Sequence, residues 1–172
     1  MAHWAINMQA ALGTCPNLER TDPAPRQTTK VCFVCTGNTC RSPMAAAVYN
    51  HLNKGRDRYA VSMGLYAHEG MPISENAVRA LESQGIISDR DNPYAEHTAR
   101  SCSPEALSGC DVIVGISEAH TLELIARYPE LASRIYSMPS PISDPFGGDL
   151  EIYKNCLDDI ICGIKEFFGI DD

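Results

Sequence analysis

Short unbroken apolar runs alternate along this chain with segments whose apolar residues recur every three or four positions. Lys30 to Cys35, with Val31-Cys32-Phe33-Val34 at its centre, predicts a first strand buried on both faces. Ser42 to Lys54 places Met44, Ala45, Val48 and Leu52 on one side and predicts a helix. Tyr59 to Met63 is a second strand closed by Gly64, and Ser74 to Gln84 a second helix, with a helix-start serine and Gly85 as its stop. Asp111 to Ile116 predicts a third strand, Glu118 to Arg127 a helix, and Arg134 to Ser137 a short fourth strand. Asp149 to Phe168 predicts a long final helix whose apolar side carries Ile152, Cys156, Leu157, Ile160, Ile161, Ile164, Phe167 and Phe168. Strands separated by helices define an α/β fold: a doubly wound, mainly four-stranded parallel sheet with helices on both faces. Ligands of such sheets sit outside the carboxyl ends of the strands.

Residues 1 to 29 break this pattern. They hold the single tryptophan and the loop-like stretch Thr21-Asp22-Pro23-Ala24-Pro25-Arg26-Gln27-Thr28-Thr29, which cannot be the interior of an element. They read as an N-terminal extension, with a short docked helix over Trp4 to Leu12 and a linker after it. Residues 30 to 172 form one domain, and 172 residues suffice for one real core.

Charge narrows the choice of partners. A net charge of −8 argues against nucleic acid or an anionic membrane surface, and makes any anion site a local positive spot. No secretory signal and no apolar run near the roughly 18 residues of a membrane span is visible. Eight cysteines without a secreted-type spacing point to a reducing, cytoplasmic setting with free thiols.

The chemistry lies in residues 35 to 42, Cys-Thr-Gly-Asn-Thr-Cys-Arg-Ser, directly after the first strand. A cysteine leaving a buried strand, small or polar residues, then an arginine and a serine opening a helix describe a phosphate-binding loop. Successive backbone N–H groups converge on one tetrahedral anion, the helix N-terminus adds its positive end, and Arg41 grips two oxygens. The same field favours a thiolate on Cys35, the candidate nucleophile. Gly37 and Asn38 are expected to take unusual backbone angles, and Ser42 to hydrogen-bond the sulfur. No Gly-Lys-Ser/Thr follows, so this is not a nucleotide-binding loop.

Expelling a poor leaving group such as a phenolate requires a proton donor. The candidate is Asp144 in Ser143-Asp144-Pro145-Phe146-Gly147-Gly148, beyond the fourth strand and hence at the sheet edge that holds Cys35.

Val34 to Ala45 and Asp144-Pro145-Phe146-Gly147-Gly148 resemble the low-molecular-weight protein tyrosine phosphatase family, and more closely its protein arginine phosphatase branch. The similarity runs through Ser62-Met63-Gly64, Gly70-Met71-Pro72, His97-Thr98-Ala99-Arg100 and Asp111 to Ser117, covering nearly all of 30 to 168. It implies a cysteine-dependent protein phosphatase acting through a thiophosphate intermediate on Cys35. Arg41 would clamp the phosphoryl group, Ser42 and Asn38 would hold the loop and the thiolate, and Asp144 would act as acid and then as base. Thr36, Gly37, Asn38, Thr39, Cys40, Ser42 and Phe146 would line the phosphate and substrate site, and phosphorylated proteins would be the partners of a monomer. No cofactor or metal is implied. Tyrosine-specific members usually carry an aliphatic residue at the position of Thr39, whereas a hydroxyl suits the polar guanidinium of phosphoarginine. Phe146-Gly147, in place of two tyrosines, and Thr36 point the same way. Ala46 and Met63 depart from the family pattern.

Phosphotyrosine is the alternative substrate; an arsenate reductase and a silent phospho-binding module are the alternatives of other classes. Arsenate reductases share the loop and relay a disulfide through further cysteines after the third strand, but Cys102 and Cys110 precede it. Cys40 either traps the oxidised nucleophile as a disulfide or is simply the small residue that fits. Cys32 and Cys35 form a Cys-x-x-Cys match but point to opposite faces of their strand, which argues against a metal or thioredoxin-type role. Cys156 and Cys162 read as packing, His97 and His120 as structural or rim groups, and Tyr153 as a cap of the final helix, with pocket lining the alternative.

Overall fold

The structure is a computed structural model and describes residues 29–171. Residues 1–28 of the expected extension, with the helix expected over Trp4 to Leu12, lie outside the described residues; Thr29, expected to end the linker, instead opens the first strand. Four strands, β1 (Thr29–Cys35), β2 (Arg58–Gly64), β3 (Val112–Gly115) and β4 (Ile135–Ser137), form an all-parallel sheet in the order β2-β1-β3-β4. Five helices connect or follow them: α1 (Arg41–Leu52), α2 (Glu75–Ser83), α3 (Pro104–Ser108), α4 (Glu118–Arg127) and α5 (Leu150–Phe168). The doubly wound α/β expectation holds, with ends moved by one or two residues. The short α3 and the 3-10 turns at Tyr94–Glu96 and Pro129–Arg134 are additions. A five-residue helix is too short for a periodic signal; α3 forms because Ser103 caps it, accepting from Ala106 N–H, and a proline opens it.

Each face of β1 feeds a different core. Val31, Phe33 and Cys35 pack with α1, α2 and α5, and Phe33 contacts Tyr49 and Phe168 edge-on. Cys32 and Val34 face the other side, with Leu107, Ile113, Leu124 and Leu131. The one-sided helix predicted from Ser42 is instead buried all round from Arg41 to Tyr49, because β2 and the central strand lie beneath it and α5 crosses its outer side. In α5 the buried stripe runs through Tyr153, not Ile152, which is 47 % exposed; Cys162, expected to pack, is also exposed.

The chain runs from β1 outward to β2 and then returns across β1 to β3. The direction of winding therefore reverses between β1 and β3, and Cys35 ends β1 at that crevice, where α/β sheets bind ligands.

Candidate active site

The loop from Cys35 to Arg41 is held by its carbonyls. Those of Cys35 and Thr36 accept from Leu65 and Tyr66 N–H (both 2.9 Å), that of Thr39 from Ser74 N–H (2.8 Å), and that of Cys40 from Met44 N–H (3.2 Å). His97 Nε2–H donates to the carbonyl of Asn38 at 2.9 Å. Among the described residues, the N–H groups of Thr36 to Arg41 donate to no protein acceptor. With the carbonyls turned outward, these donors are left for the concave side, which is the polarity of an anion cradle. The first turn of α1 carries no acidic residue, and Cys40 gives no side-chain cap. Neither competes with an incoming anion for the helix end.

Asn38 is the hub. It is fully buried and has φ of 57°, the left-handed region, which asparagine tolerates better than most residues. Its Nδ2 donates to Ser42 Oγ and Ser62 Oγ (both 2.9 Å), and its Oδ1 accepts from Arg100 N–H at 2.9 Å. Gly37 is outside the left-handed region, so the strain expected of two residues rests on Asn38 alone. Gly64 is the glycine this site requires: a Cβ there would stand 2.7 Å from the Thr36 carbonyl oxygen.

Ser42 Oγ lies 3.0 Å from Cys35 Sγ and 3.2 Å from the Met63 carbonyl oxygen. Since Asn38 already donates to this hydroxyl, its single proton serves one or the other. Opposite the loop, Arg41 Nη2 donates to Asp144 Oδ2 at 2.8 Å, with Arg41 buried and the Asp144 side chain 54 % exposed. Phe146 N–H donates to the other carboxylate oxygen at 3.2 Å, the turn expected of Asp-Pro-Phe-Gly, while the Phe146 ring stands 80 % exposed on the rim. Cys35, Arg41, Ser42 and Asp144 are thus brought to one place. Thr39 borders it, its hydroxyl 3.6 Å from Cys40 Sγ.

Two side chains lie elsewhere than the sequence pattern predicts. Tyr153 does not cap α5; Asp149 does, accepting from Ile152 N–H. The Tyr153 hydroxyl instead accepts from Ser74 Oγ (3.1 Å) and meets Cys40 Sγ (3.2 Å), and burial first, then that contact, raise its pKa to about 12. His120 belongs to the site: Nε2 is 2.9 Å from Thr36 Oγ1 and Nδ1 2.7 Å from Ser117 Oγ. Burial, then the nearby Arg41 charge, lower its pKa; burial likewise lowers that of His97. The Ser-x-x-His spacing of Ser117 and His120 at a helix start is the signal in the sequence that marks it.

Cys102 and Cys110 pack with Cys32 on the sheet face opposite Cys35. Among the described residues, no group of three or more His, Cys, Asp or Glu is arranged to hold a metal ion, and no helix is long and apolar enough to cross a membrane.

A cysteine at the mouth of a loop with unpaired N–H groups, at the switch point of a parallel sheet and beside an arginine–carboxylate pair, is the arrangement of a cysteine-based phosphatase. Residues 30–169 match the family model described as low molecular weight phosphotyrosine protein phosphatase, and the chain belongs to that family. It is a phosphoprotein phosphatase. It is 32 % identical to a protein-arginine-phosphatase of Geobacillus stearothermophilus over 139 residues, 76 % of this chain and 88 % of the relative. It is 30 % identical to a low molecular weight protein-tyrosine-phosphatase of Staphylococcus haemolyticus over 138 residues, 77 % and 92 % of the two chains. The crystal structure of the low molecular weight protein tyrosine phosphatase from T. tengcongensis superposes with a TM-score of 0.75 at 35 % identity, covering 82 % of this chain and 98 % of that one.

Proposed function

We propose that the protein hydrolyses phosphoarginine in proteins, with Cys35 as nucleophile, Arg41 as phosphoryl clamp and Asp144 as general acid and base. The observation that carries the reading is the meeting of Cys35, the outward-turned carbonyls of its loop, Arg41 and Asp144 at one edge of the sheet. The Cys35 thiolate attacks phosphorus as the P–N bond breaks, and Asp144 gives its proton to the departing guanidine nitrogen. Water then attacks the thiophosphate, Asp144 takes a proton from it, and the S–P electron pair returns to sulfur, toward which the Ser42 hydroxyl turns. The N–H groups of Thr36 to Arg41 and the Arg41 guanidinium neutralise the equatorial oxygens through both steps.

Preference for phosphoarginine rests on Thr39. Its hydroxyl borders the loop and offers a polar partner to guanidinium N–H groups, which an aliphatic side chain would leave unpaired. The Geobacillus stearothermophilus relative supports this choice. Phosphotyrosine is the second reading, favoured by the Staphylococcus haemolyticus relative. Side-by-side kinetics on phosphoarginine and phosphotyrosine peptides decide between them: higher kcat/KM on phosphotyrosine would overturn the arginine assignment.

We further assign residues 1–28 to an extension outside the catalytic domain, Thr29 belonging to β1, and the enzyme to the cytoplasm, as a monomer acting without a cofactor.

A further inference from the structure

A concavity of about 330 Å³ lies behind the active site, against the outer edge of the sheet. Its floor is one stripe of α1, Pro43, Ala46, Ala47 and Asn50, at helical spacing. Its walls are the edge strand β2 at Ala60 to Ser62 and the segment from Asn92 to Arg100. The small side chains at 46, 47 and 60 leave this volume open.

The edge of β2 supplies the polar group. Because strand residues alternate, the N–H and C=O of Ala60, Ser62 and Gly64 all point away from β1. Those of Ala60 are paired by the Asn50 carboxamide, with Ala60 N–H donating to Oδ1 at 2.7 Å and Nδ2 donating to the carbonyl at 3.1 Å. Those of Gly64 are paired by the Arg100 carbonyl (2.8 Å) and Cys102 N–H (2.9 Å). Between them, the N–H and C=O of Ser62 have no hydrogen-bond partner among the described residues, and they open on the concavity. An edge donor and acceptor flanked by satisfied neighbours form a notch for one planar group. Asn50 shows two residues earlier what fits such a notch: a primary carboxamide.

The same walls hold the catalytic loop. Ser62 Oγ, the Arg100 N–H and the His97 ring bond three different atoms of Asn38. We propose that this concavity is a regulatory site for a small molecule bearing a primary carboxamide on a compact apolar or aromatic body. The carboxamide pairs with the Ser62 backbone, the body lies on the alanine floor, and binding is felt at Asn38 and hence at turnover.

Benzamide is the probe, titrated into the ¹⁵N-labelled full chain and followed by NMR. The expected result is a saturable shift of the Ser62 amide and of Ala46 and Ala47. N,N-dimethylbenzamide, which has no N–H to donate, should not reproduce it, and Ala46→Leu, which fills the floor, should abolish it while keeping wild-type turnover of para-nitrophenyl phosphate. Should Ala46→Leu not fold, the methylated probe alone decides. At saturating benzamide, kcat should change at least twofold with KM unmoved. No saturable shift, or equal binding of the methylated probe, overturns the site. Shifts centred on residues 36–41 and reversed by inorganic phosphate overturn it too, by placing benzamide in the anion cradle. Binding at Ser62 with kcat unchanged overturns the coupling. The NMR readout needs no substrate, so it stands or falls separately from the phosphoarginine reading.

Discussion

Arg41 and Asp144 are joined by a 2.8 Å ion pair that ties the anion loop after β1 to the loop before α5, across 103 positions of sequence. The pair sets the proposed acid beside the proposed clamp. Replacing Asp144 by Asn keeps a hydrogen-bond acceptor for Arg41 but removes the proton. We expect kcat on aryl phosphates with poor leaving groups to fall by about 10²–10⁴-fold, and far less on those with good ones. An equal loss across a leaving-group series, measured by steady-state kinetics, would remove Asp144 from the acid role.

Cys35→Ser should abolish turnover of para-nitrophenyl phosphate while leaving the loop folded, because Ser42 and Asn38 keep their partners. Binding of inorganic phosphate, followed by NMR at Thr36 to Arg41, should survive. Residual turnover near that of the wild type would place the nucleophile elsewhere.

Thr39→Ile tests substrate choice. It should lower kcat/KM for phosphoarginine peptides by about tenfold or more, the cost of leaving guanidinium donors unpaired, and affect phosphotyrosine peptides less. Equal losses on the two substrates would remove Thr39 as the determinant.

The half-buried His97 and the buried His120 predict a pH dependence of stability. Burial lowers the folded pKa of both His97 and His120 below the ordinary value of about 6.5, so the unfolded chain takes up protons first as pH falls. Their contribution is complete above about pH 6.5 and is lost as pH falls through the lower folded values. Melting temperature should therefore drop between pH 7.5 and 5.5, and His97→Asn or His120→Asn should flatten that drop. A slope identical in wild type and both variants would locate the effect in other groups.

Tyr153→Phe should cost about 1 kcal/mol, roughly 2–4 °C in Tm, since it strands the Ser74 hydroxyl and removes a contact from Cys40. An unchanged Tm by calorimetry would show that neither bond stabilises the fold.

The parts of this molecule written in consecutive residues are legible in the amino-acid sequence alone. A strand, a loop and a helix start fall within Val31 to Ser42, and their chemistry needs no distant partner to be recognised. Asp144 stands out because Asp-Pro-Phe-Gly has a turn chemistry of its own. What escapes the sequence depends on tertiary approach. Tyr153 and Ile152 are adjacent and both apolar in pattern, and only the crossing of α5 over the loop decides which one turns inward. His120 becomes a site residue because α4 begins beside Thr36; the Ser-x-x-His spacing marks a helix start, but not which loop that start meets. Asn38 is bonded by Ser42, Ser62, His97 and Arg100, four residues spread over three segments. Gly37 invites an expectation of strain by its residue type, whereas the backbone concentrates the strain at Asn38.

The bare α-carbon at position 64 leaves the end of β2 lying directly against the Thr36 carbonyl. A methyl group there would have to push that oxygen aside and disturb the bond it accepts from Tyr66 N–H. The loop would then lose one of the carbonyl anchors that keep its N–H groups facing inward. Selectivity for an oxyanion in this fold depends, in part, on one carbon atom that is missing from a neighbouring strand.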